Sequence, residues 1–481
     1  MTSNSYGISA ISVYLPSNRV SLNAWASWND QKFEKINNVI GTGFRLPSPS
    51  EDVYTLAANA CLKLIENYSI NPENIGFIGL GTESSRDNAL GAIIVKGLLN
   101  DALHNLGYKT IGRECEVPEY KHACLAGVYA VKGGLRYLQG QKRGRCALIV
   151  SSDIAKYNIN STGEATQGSG AVAILLESNP KLLEIDINNT VSSSAFRHID
   201  FRKPLKSMEF KEKNIDLALV NGKYSSFCYL DEVKAVTELY LNKHKISSQQ
   251  LFSETDHFFF HRPFKRMPEN ALAYLYLRSI LSENGQLKKY CELANLSLST
   301  VVHEQKEVVD FGKMIKNQSI NENIHPETNK LISYLRESTL LALFNKKLSL
   351  GNTNLSELGN IYSGSLFAWI ASALEDALTS DLDITTHKWL AVGYGSGNAA
   401  EIIPMKISKN WADYACKINF KNAFKESYDL TQEEYKKVHQ LKYDLDFRPP
   451  ITGFKISKFG NQDSLNYSDK DIPYYTFLGS L

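Results

Sequence analysis

Apolar and polar positions alternate with a period of two from Tyr6 to Tyr14, which predicts a strand ended by Pro16. From Asp52 to Tyr68 the apolar positions Leu56, Ala57, Ala60, Leu62, Leu64 and Ile65 recur at helical spacing. Asn74 to Leu80 (NIGFIGL) is a short, continuous apolar run, the pattern of a strand buried on both faces. Such runs alternating with helices predict an α/β layered fold.

One order of segments occurs twice. In the first half NIGFIGLGTES leads to the helical ACLAGVYAVKGGLRYL, then to the strand-like CALIVSSDIA and to TQGSGAVAILLE. In the second half DHFFFHRPF leads to GNIYSGSLFAWIASAL, then to KWLAVGYGSG and AAEIIPMKI. Each half offers a strand with a polar tip, a helix opened by a special residue, and a Gly-rich hairpin. Two such halves facing each other would bring Glu83, Cys124, His261 and Asn360 to one crevice. Ser282 to Glu337 interrupts the second half and is polar, with SENGQLKKYCELANL and EQKEVVDFGKMIKNQ as helical stretches; it is expected to be a helical decoration on the core. Beyond Lys406 comes a Tyr- and Lys-rich tail. In it Thr431, three residues before Glu434, is the expected N-cap of a helix. The last thirty residues hold Pro, Gly, Asn and Asp and are expected to be irregular surface.

With 481 residues the chain can hold two large domains or one duplicated domain. A net charge of +2 is too near balance to imply a nucleic-acid or membrane partner. The opening residues lack the basic and apolar blocks of a secretory signal, and no stretch reaches a bilayer-spanning apolar length. The seven Cys residues (61, 115, 124, 146, 228, 291 and 416) are scattered without a CxxC pair, the usage of a reducing, cytoplasmic setting without a zinc site or disulfide framework. There is no Walker phosphate loop, no Rossmann GxGxxG after the first strand and no HExxH.

Cys124 follows polar VPEYKH and precedes a helical apolar pattern (Leu125, Val128, Leu135, Leu138). That puts a thiol at a helix N-terminus, where the macrodipole favours thiolate and the Cys124 N–H can face an oxyanion. A small buried apolar Cys fits the same pattern. Glu83 stands just past a buried strand, where a partly desolvated carboxylate can move protons to and from carbon; a surface Glu at a strand-to-loop turn is the plainer reading of the segment alone. His261 ends the run DHFFF and is stopped by Pro263; it reads as an imidazole for a carbonyl oxygen, or as a His satisfied by backbone. Asn360 offers amide donors at a helix start, where it also reads as an N-cap. The GSG turns of Thr166–Ile174 and Tyr394–Glu401 can bring backbone N–H groups close to a ligand.

LGTESSRDNA, ACLAGVYAVKGGLRYL and SSDIAKYNINSTGEATQGSGAVAILLESNP together resemble the N-terminal half of 3-hydroxy-3-methylglutaryl-coenzyme A synthases. LVNGKYSSFCYL, HRPFKRM, GNIYSGSLFAWIASAL and VGYGSGNAAE resemble their C-terminal half, so the resemblance runs from Gly7 to Ile407. It implies a thiolase-like, five-layered α-β-α-β-α fold. Its N-terminal half is residues 1–180 and its C-terminal half 181–407, with the helical insertion at 282–337 and a C-terminal extension at 408–481. It further implies Cys124 as acyl-accepting nucleophile, Glu83 as general acid/base, His261 beside the acetoacetyl group and Asn360 at the thioester. Substrate-contacting positions by the same resemblance are Asp153 and Tyr157 at the acetyl pocket, Thr166, Ser225, Tyr362, Gly395, and Ser396 as second oxyanion donor. Arg266 stands where the family has a CoA-binding Lys, beside Lys265. Ala123 and Leu125 flank the Cys where many members have Glu and Tyr or Asn, and Asn270 replaces a Lys nine residues after the His. The expected substrates are acetyl-CoA and acetoacetyl-CoA, with no metal or redox cofactor and a homodimeric enzyme. Acyl-carrier-protein-bound substrates, or an inactive scaffold of the same fold, are the alternatives.

Overall fold

The computed structural model describes residues 5–86, 90–141, 144–200, 202, 221–281, 283–319, 323–338, 340–440 and 444–481. Ser282, the first residue of the expected insertion, Asp87–Ala89 of the LGTESSRDNA motif, and Leu219 and Val220 of the LVNGKYSSFCYL motif lie outside these.

Two half-sheets carry the fold. The first runs in the order β5 (Glu119–Tyr120), β4 (Ile75–Gly81), β6 (Cys146–Ala155), β7 (Gly168–Ser178), β1 (Tyr6–Tyr14). The second contains β10 (His257–Phe260), β11 (Lys388–Gly395) and β12 (Ala399–Ile407), with β9 (Val191–Ser194) on β12. The short β8 (Leu183–Glu184) pairs with β1 on one side and β12 on the other, joining the halves into a single 10-stranded sheet path. In each half a parallel pair (β4–β6, β10–β11) is followed by an antiparallel strand (β7, β12), as the repeated segment order requires. β4 is buried throughout, and β6 at every position but Ile154, because both faces of the sheet are covered.

Between the half-sheets lie α5 (Ala126–Gly140) and α14 (Ser365–Thr379), each opening a corresponding half of the repeat. Ile8, Ile11, Val13, Ile149 and Ile174 point inward to this layer, whereas Ala10, Leu148, Val150, Ala173 and Leu175 point outward. The outward set packs on α3 (Val53–Tyr68) and α4 (Gly91–Asn105). Asp52 caps α3, with Thr55 closing a reciprocal capping box. The other outer layer holds α6 (Gly222–His244), α7 (Ser248–Glu254), α8 (Arg266–Ile280) and α13 (Leu341–Leu348). The result is a five-layered α-β-α-β-α arrangement.

The interruption at 282–337 is helical: α9 (Asn284–Leu293), α10 (Leu298–Lys306), α11 (Phe311–Lys316) and α12 (Pro326–Glu337). The stretch EQKEVVDFGKMIKNQ is not one helix, however. It breaks after Lys306, and Asp310 caps a new helix by accepting from the Lys313 N–H at 2.9 Å. Nor is the segment only a decoration, because Val301, Leu331, Ile332 and Leu335 are buried in the main core. Near the N-terminus β2 (Asn18–Ser21), α1 (Leu22–Trp28), α2 (Phe33–Val39) and β3 (Gly43–Leu46) form an excursion. The C-terminal extension adds α15 (Trp411–Ala415), β13 (Tyr428–Asp429) beside β2, and α16 (Gln432–His439), which carries the Thr431/Glu434 capping box. The last thirty residues are not irregular throughout. They form a hairpin of β14 (Phe454–Phe459) and β15 (Pro473–Phe477) docked on α3, with Phe454 N–H donating to Asn59 at 2.9 Å and Tyr475 Oη to Asp52 at 2.8 Å. The alternating apolar residues of β14 supply the buried side, Phe454 and Ile456.

Candidate active site

Glycine contacts bring the first two chemical groups together. A Cβ on Gly81, at the tip of β4, would lie 2.7 Å from the Gly127 Cα, so the first turn of α5 closes on β4 only because Gly81 lacks a side chain. Cys124 stands two residues before α5, after Ala123, whose φ of 45° is a left-handed conformation uncommon for Ala. The tight bend delivers Sγ to the strand tip, where it donates to Glu83 Oε2 at 3.6 Å. From the other half, a Cβ on Gly395 would meet the His122 carbonyl at 2.6 Å. Gly395 therefore acts as the space that lets β11 pass under the Cys124 bend.

Asp153 fixes the Glu83 tip. It is fully buried, and its Oδ1 accepts from Thr82 Oγ1 (3.1 Å), Glu83 N (2.8 Å), Ser84 N (3.0 Å) and Ser84 Oγ (2.7 Å). Its Oδ2 accepts from the N–H and hydroxyl of Ser363 in the other half. With both oxygens engaged, Asp153 is a clamp between the halves, behind the wall of the cleft and not a group lining an acetyl pocket.

The cleft above Cys124 has a volume of about 570 Å³. Its wall includes Cys124, Tyr157, His261, Asn360, Tyr394 and Ser396. Thr166 and Ser225 also line it. Tyr362 packs with Tyr157 around Cys124 but lies beneath the wall, and Lys265 and Arg266 sit at the start of α8, off the wall; Arg266 donates to the Asn38 carbonyl at 3.4 Å. Of the expected groups, then, Cys124, His261, Asn360, Tyr157, Thr166, Ser225 and Ser396 line the cleft, Glu83 meets it through Cys124, and Asp153, Tyr362, Gly395, Lys265 and Arg266 are not among the lining residues.

The electrostatics differ from the expectation for a helix N-terminus. Burial, reinforced by the Glu83 and Asp153 carboxylates, pushes the Cys124 thiol well above its ordinary range. Cys124 precedes the first helical residue by two, and the resting sulfur is a thiol held against Glu83. His261, at the end of β10, is pushed down to about 3 by burial and is neutral near pH 7. Its ring stacks on Tyr394 at 6.4 Å, and among the described residues its buried Nδ1 has no partner, which leaves Nε2 to serve the cleft. Tyr229 Oη donates to the His261 carbonyl at 3.0 Å and fixes the backbone there. Asn360 does not cap α14, which begins after Gly364. Its Oδ1 instead accepts from Tyr362 N (2.9 Å) and Ser365 Oγ (3.0 Å), which commits its Nδ2 donors elsewhere, and Tyr157 Oη is within their reach.

This geometry is accompanied by likeness to known proteins. The model for hydroxymethylglutaryl-coenzyme A synthase, N terminal, matches residues 2–181, and the model for its C terminal matches residues 185–448. The chain belongs to the hydroxymethylglutaryl-coenzyme A synthase family. It is accordingly an acyl-transferring condensing enzyme. It is 26% identical over 473 residues to the hydroxymethylglutaryl-CoA synthase of Haloferax volcanii, covering 96% of this chain and 99% of that one. It is 25% identical over 465 residues to that of Enterococcus faecalis, covering 96% of each. Among solved structures, MvaS in complex with 3-hydroxy-3-methylglutaryl coenzyme A aligns over 99% of this chain and 100% of its own, with a TM-score of 0.76 and 22% identity. The HMG synthase of the curacin biosynthetic pathway in complex with holo donor-ACP aligns over 98% and 100%, with a TM-score of 0.72 and 18% identity. These likenesses show the thiolase-like fold.

Sequence reasoning missed several cleft residues of this family member. Tyr394, whose Oη lies 2.9 Å from both Asp200 Oδ2 and Asn398 Oδ1, forms the wall behind His261, and Asp200 is fully buried. Asp200 sits in FRHID, outside any strand, and carries no local signal; Tyr394 was visible only as part of a Gly-rich turn. Asn323, Ile324, Asn329, Ile332 and Ser333 of the 282–337 segment line the cleft as well. Among the described residues, no group of three or more His, Cys, Asp or Glu is placed to hold a metal ion, and no helix is long and apolar enough to cross a membrane.

Proposed function

We propose that the enzyme condenses an acetyl group, carried as a thioester on Cys124, with acetoacetyl-CoA and water to give 3-hydroxy-3-methylglutaryl-CoA and CoA, in isoprenoid precursor synthesis. The observation that carries this reading is the Cys124 Sγ–Glu83 Oε2 pair at 3.6 Å, with Cys124, His261 and Asn360 in the wall of one cleft. As Sγ attacks acetyl-CoA its proton passes to Glu83 and on to the departing CoA sulfur, so the carboxylate is restored. Glu83 then takes a proton from the acetyl methyl, and the enolate carbon attacks the ketone carbon of the acceptor. Neutral His261 donates a hydrogen bond from its ring N–H to the ketone oxygen, aided by the Asn360 amide. Glu83 returns its proton to the new alkoxide, and water cleaves the Cys124 thioester, releasing the product and restoring the thiol. The thioester supplies activation and driving force, so the scheme uses no metal or redox cofactor. The working form is a cytoplasmic homodimer.

Free CoA substrates are favoured by the chain that follows His261: HRPFKRMPENA is basic, then polar, and Lys223 stands in the cleft wall as a cation for phosphate. A solved neighbour is a complex with a donor carrier protein, so the two carriers are compared directly. Turnover with acetoacetyl-CoA is measured beside turnover with acetoacetyl carrier protein after acetyl loading. Faster use of the CoA thioester supports the reading; exclusive use of the carrier protein would overturn it in favour of β-branching of carrier-bound chains.

A further inference from the structure

The C-terminal extension reaches the cleft from behind. One face of α16 buries Tyr435, Val438 and His439, and the first two join a separate apolar cluster with Val20, Leu22, Trp25 and Phe44 of the N-terminal excursion. Tyr435 stacks on Trp28 at 6.0 Å and meets Phe44 edge-on at 6.2 Å. Ala165 belongs to the same cluster, which anchors it under the loop between β6 and β7.

Polar contacts between α16 and that loop form a closed set. Tyr435 Oη donates to Glu164 Oε1 at 2.7 Å and accepts from Gln167 Nε2 at 3.1 Å. Glu164 also receives Trp25 Nε1 (3.1 Å) and Asn160 N (2.6 Å). His439 Nε2 is 2.8 Å from the Tyr157 carbonyl and 3.1 Å from Gln167 Oε1, which also accepts from Tyr157 N at 3.0 Å. Both atoms facing Nε2 are acceptors, so Nε2 carries the proton. Glu164 and Gln167 are 1% and 0% exposed, so water cannot replace these partners cheaply. The opposite side of the loop is the cleft: Tyr157, Thr162, Gly163 and Thr166 line it, Tyr157 packs on Cys124, and the Thr166 carbonyl accepts from Asn360 N at 3.0 Å.

We propose that His439 and Tyr435 are positioning residues that hold the 157–167 loop in the shape that seats the acyl group against Cys124, so that the C-terminal extension sets the rate of acyl loading. The proposal deepens the reading of Cys124 as acyl carrier and rests on it. Neither residue lines the cleft; His439 acts through Tyr157 and Gln167, and Tyr435 through Glu164 and Gln167. The loop joins the nucleophile's surroundings to a helix 268 to 282 positions away in sequence.

The test uses the full chain as wild type, His439→Ala, His439→Gln and Tyr435→Phe. Acetyl loading is followed by quenched mass measurement across acetyl-CoA concentrations. Backbone hydrogen exchange is followed over 157–167 in the unliganded enzyme. His439→Ala is expected to load with a second-order rate constant on the order of tenfold lower, since small misplacements of a site are costly. Condensation by enzyme already acetylated should change less. Exchange in the loop should quicken while β6 and β7 stay protected. His439→Gln keeps an N–H donor at similar reach and should recover most of the loading rate. Equal loss in both His439 variants, in step with a loss of folded protein, would overturn the proposal, as would loading and loop exchange unchanged in His439→Ala. If wild type gains no acetyl group, the reading of Cys124 fails, and unchanged loop exchange in His439→Ala would then remove the brace as well.

Discussion

Replacing Asp153 by Asn separates a clamp from a substrate contact. The carboxylate accepts six hydrogen bonds, four on Oδ1 and two on Oδ2, three of them from backbone N–H groups of Glu83, Ser84 and Ser363. An Asn has one acceptor oxygen, so its amide must face either the Ser363 N–H or the Glu83 and Ser84 N–H groups. At least one buried amide then loses its partner, at about 1–3 kcal/mol, and the charge-assisted bonds that remain become neutral ones, for a further 1–2 kcal/mol or so. A total of about 3 kcal/mol corresponds to a fall in the unfolding midpoint of roughly 3 °C for a chain of this length, because the unfolding entropy grows with size. The same change loosens the Glu83 tip, so the condensation rate should fall on the order of a hundredfold if the carboxylate shifts by about 1 Å. Thermal unfolding of wild type and Asp153→Asn, with steady-state kinetics on both, measures the two effects. An unchanged midpoint together with a raised KM for the acetyl donor would refute the clamp and restore Asp153 as a substrate contact.

Glu83→Ala should still acquire acetyl on Cys124, more slowly, because solvent bases can take the thiol proton; condensation should fall by about 10²–10⁴, the usual worth of a general base, and equal losses in both half-reactions would contradict its role. His261→Ala should raise the KM for acetoacetyl-CoA and lower condensation more than loading; normal kinetics with the acceptor would remove it from the site. His257, paired with His387 at 3.2 Å and 8% exposed, is pushed down to about 4 by burial and by His387, so it stays neutral in the fold while the unfolded chain takes up a proton below about 6.5. Stability present above that pH is therefore lost as the pH falls toward 4, by about 2 kcal/mol at pH 5 from this residue. Denaturant unfolding of His257→Gln should show a pH 7 to pH 5 loss smaller by that amount, and an identical loss would show that His257 is not held neutral.

What the sequence made legible were features written in local pattern. The apolar runs of β4 and β10, the helical period of α3 and the Thr431/Glu434 capping box are decided within a few residues, and the repeated order of segments was enough to pair Glu83 and Cys124 with His261 and Asn360 across the halves. Features that depend on distant partners were not legible. Asp153 reads as a polar residue at a strand end until Ser363, 210 positions away, occupies its second oxygen. The thiol of Cys124 looks activated from its place before a helix, yet burial raises it, together with carboxylates just past β4 and on β6. Polarity alone made 282–337 look peripheral, although α12 turns Ile332 and Ser333 into the cleft. His439 and Tyr435 lie on a short amphipathic helix with nothing local to mark their partners.

The central claim is that Cys124 becomes the acyl carrier, and peptide mapping after brief incubation with acetyl-CoA and acid quenching addresses it directly. One acetyl group should appear on the peptide containing Cys124 in wild type, be absent from Cys124→Ala, and disappear when acetoacetyl-CoA is added before the quench. An unacetylated Cys124 peptide in active enzyme, or acetyl retained by Cys124→Ala, would contradict the account.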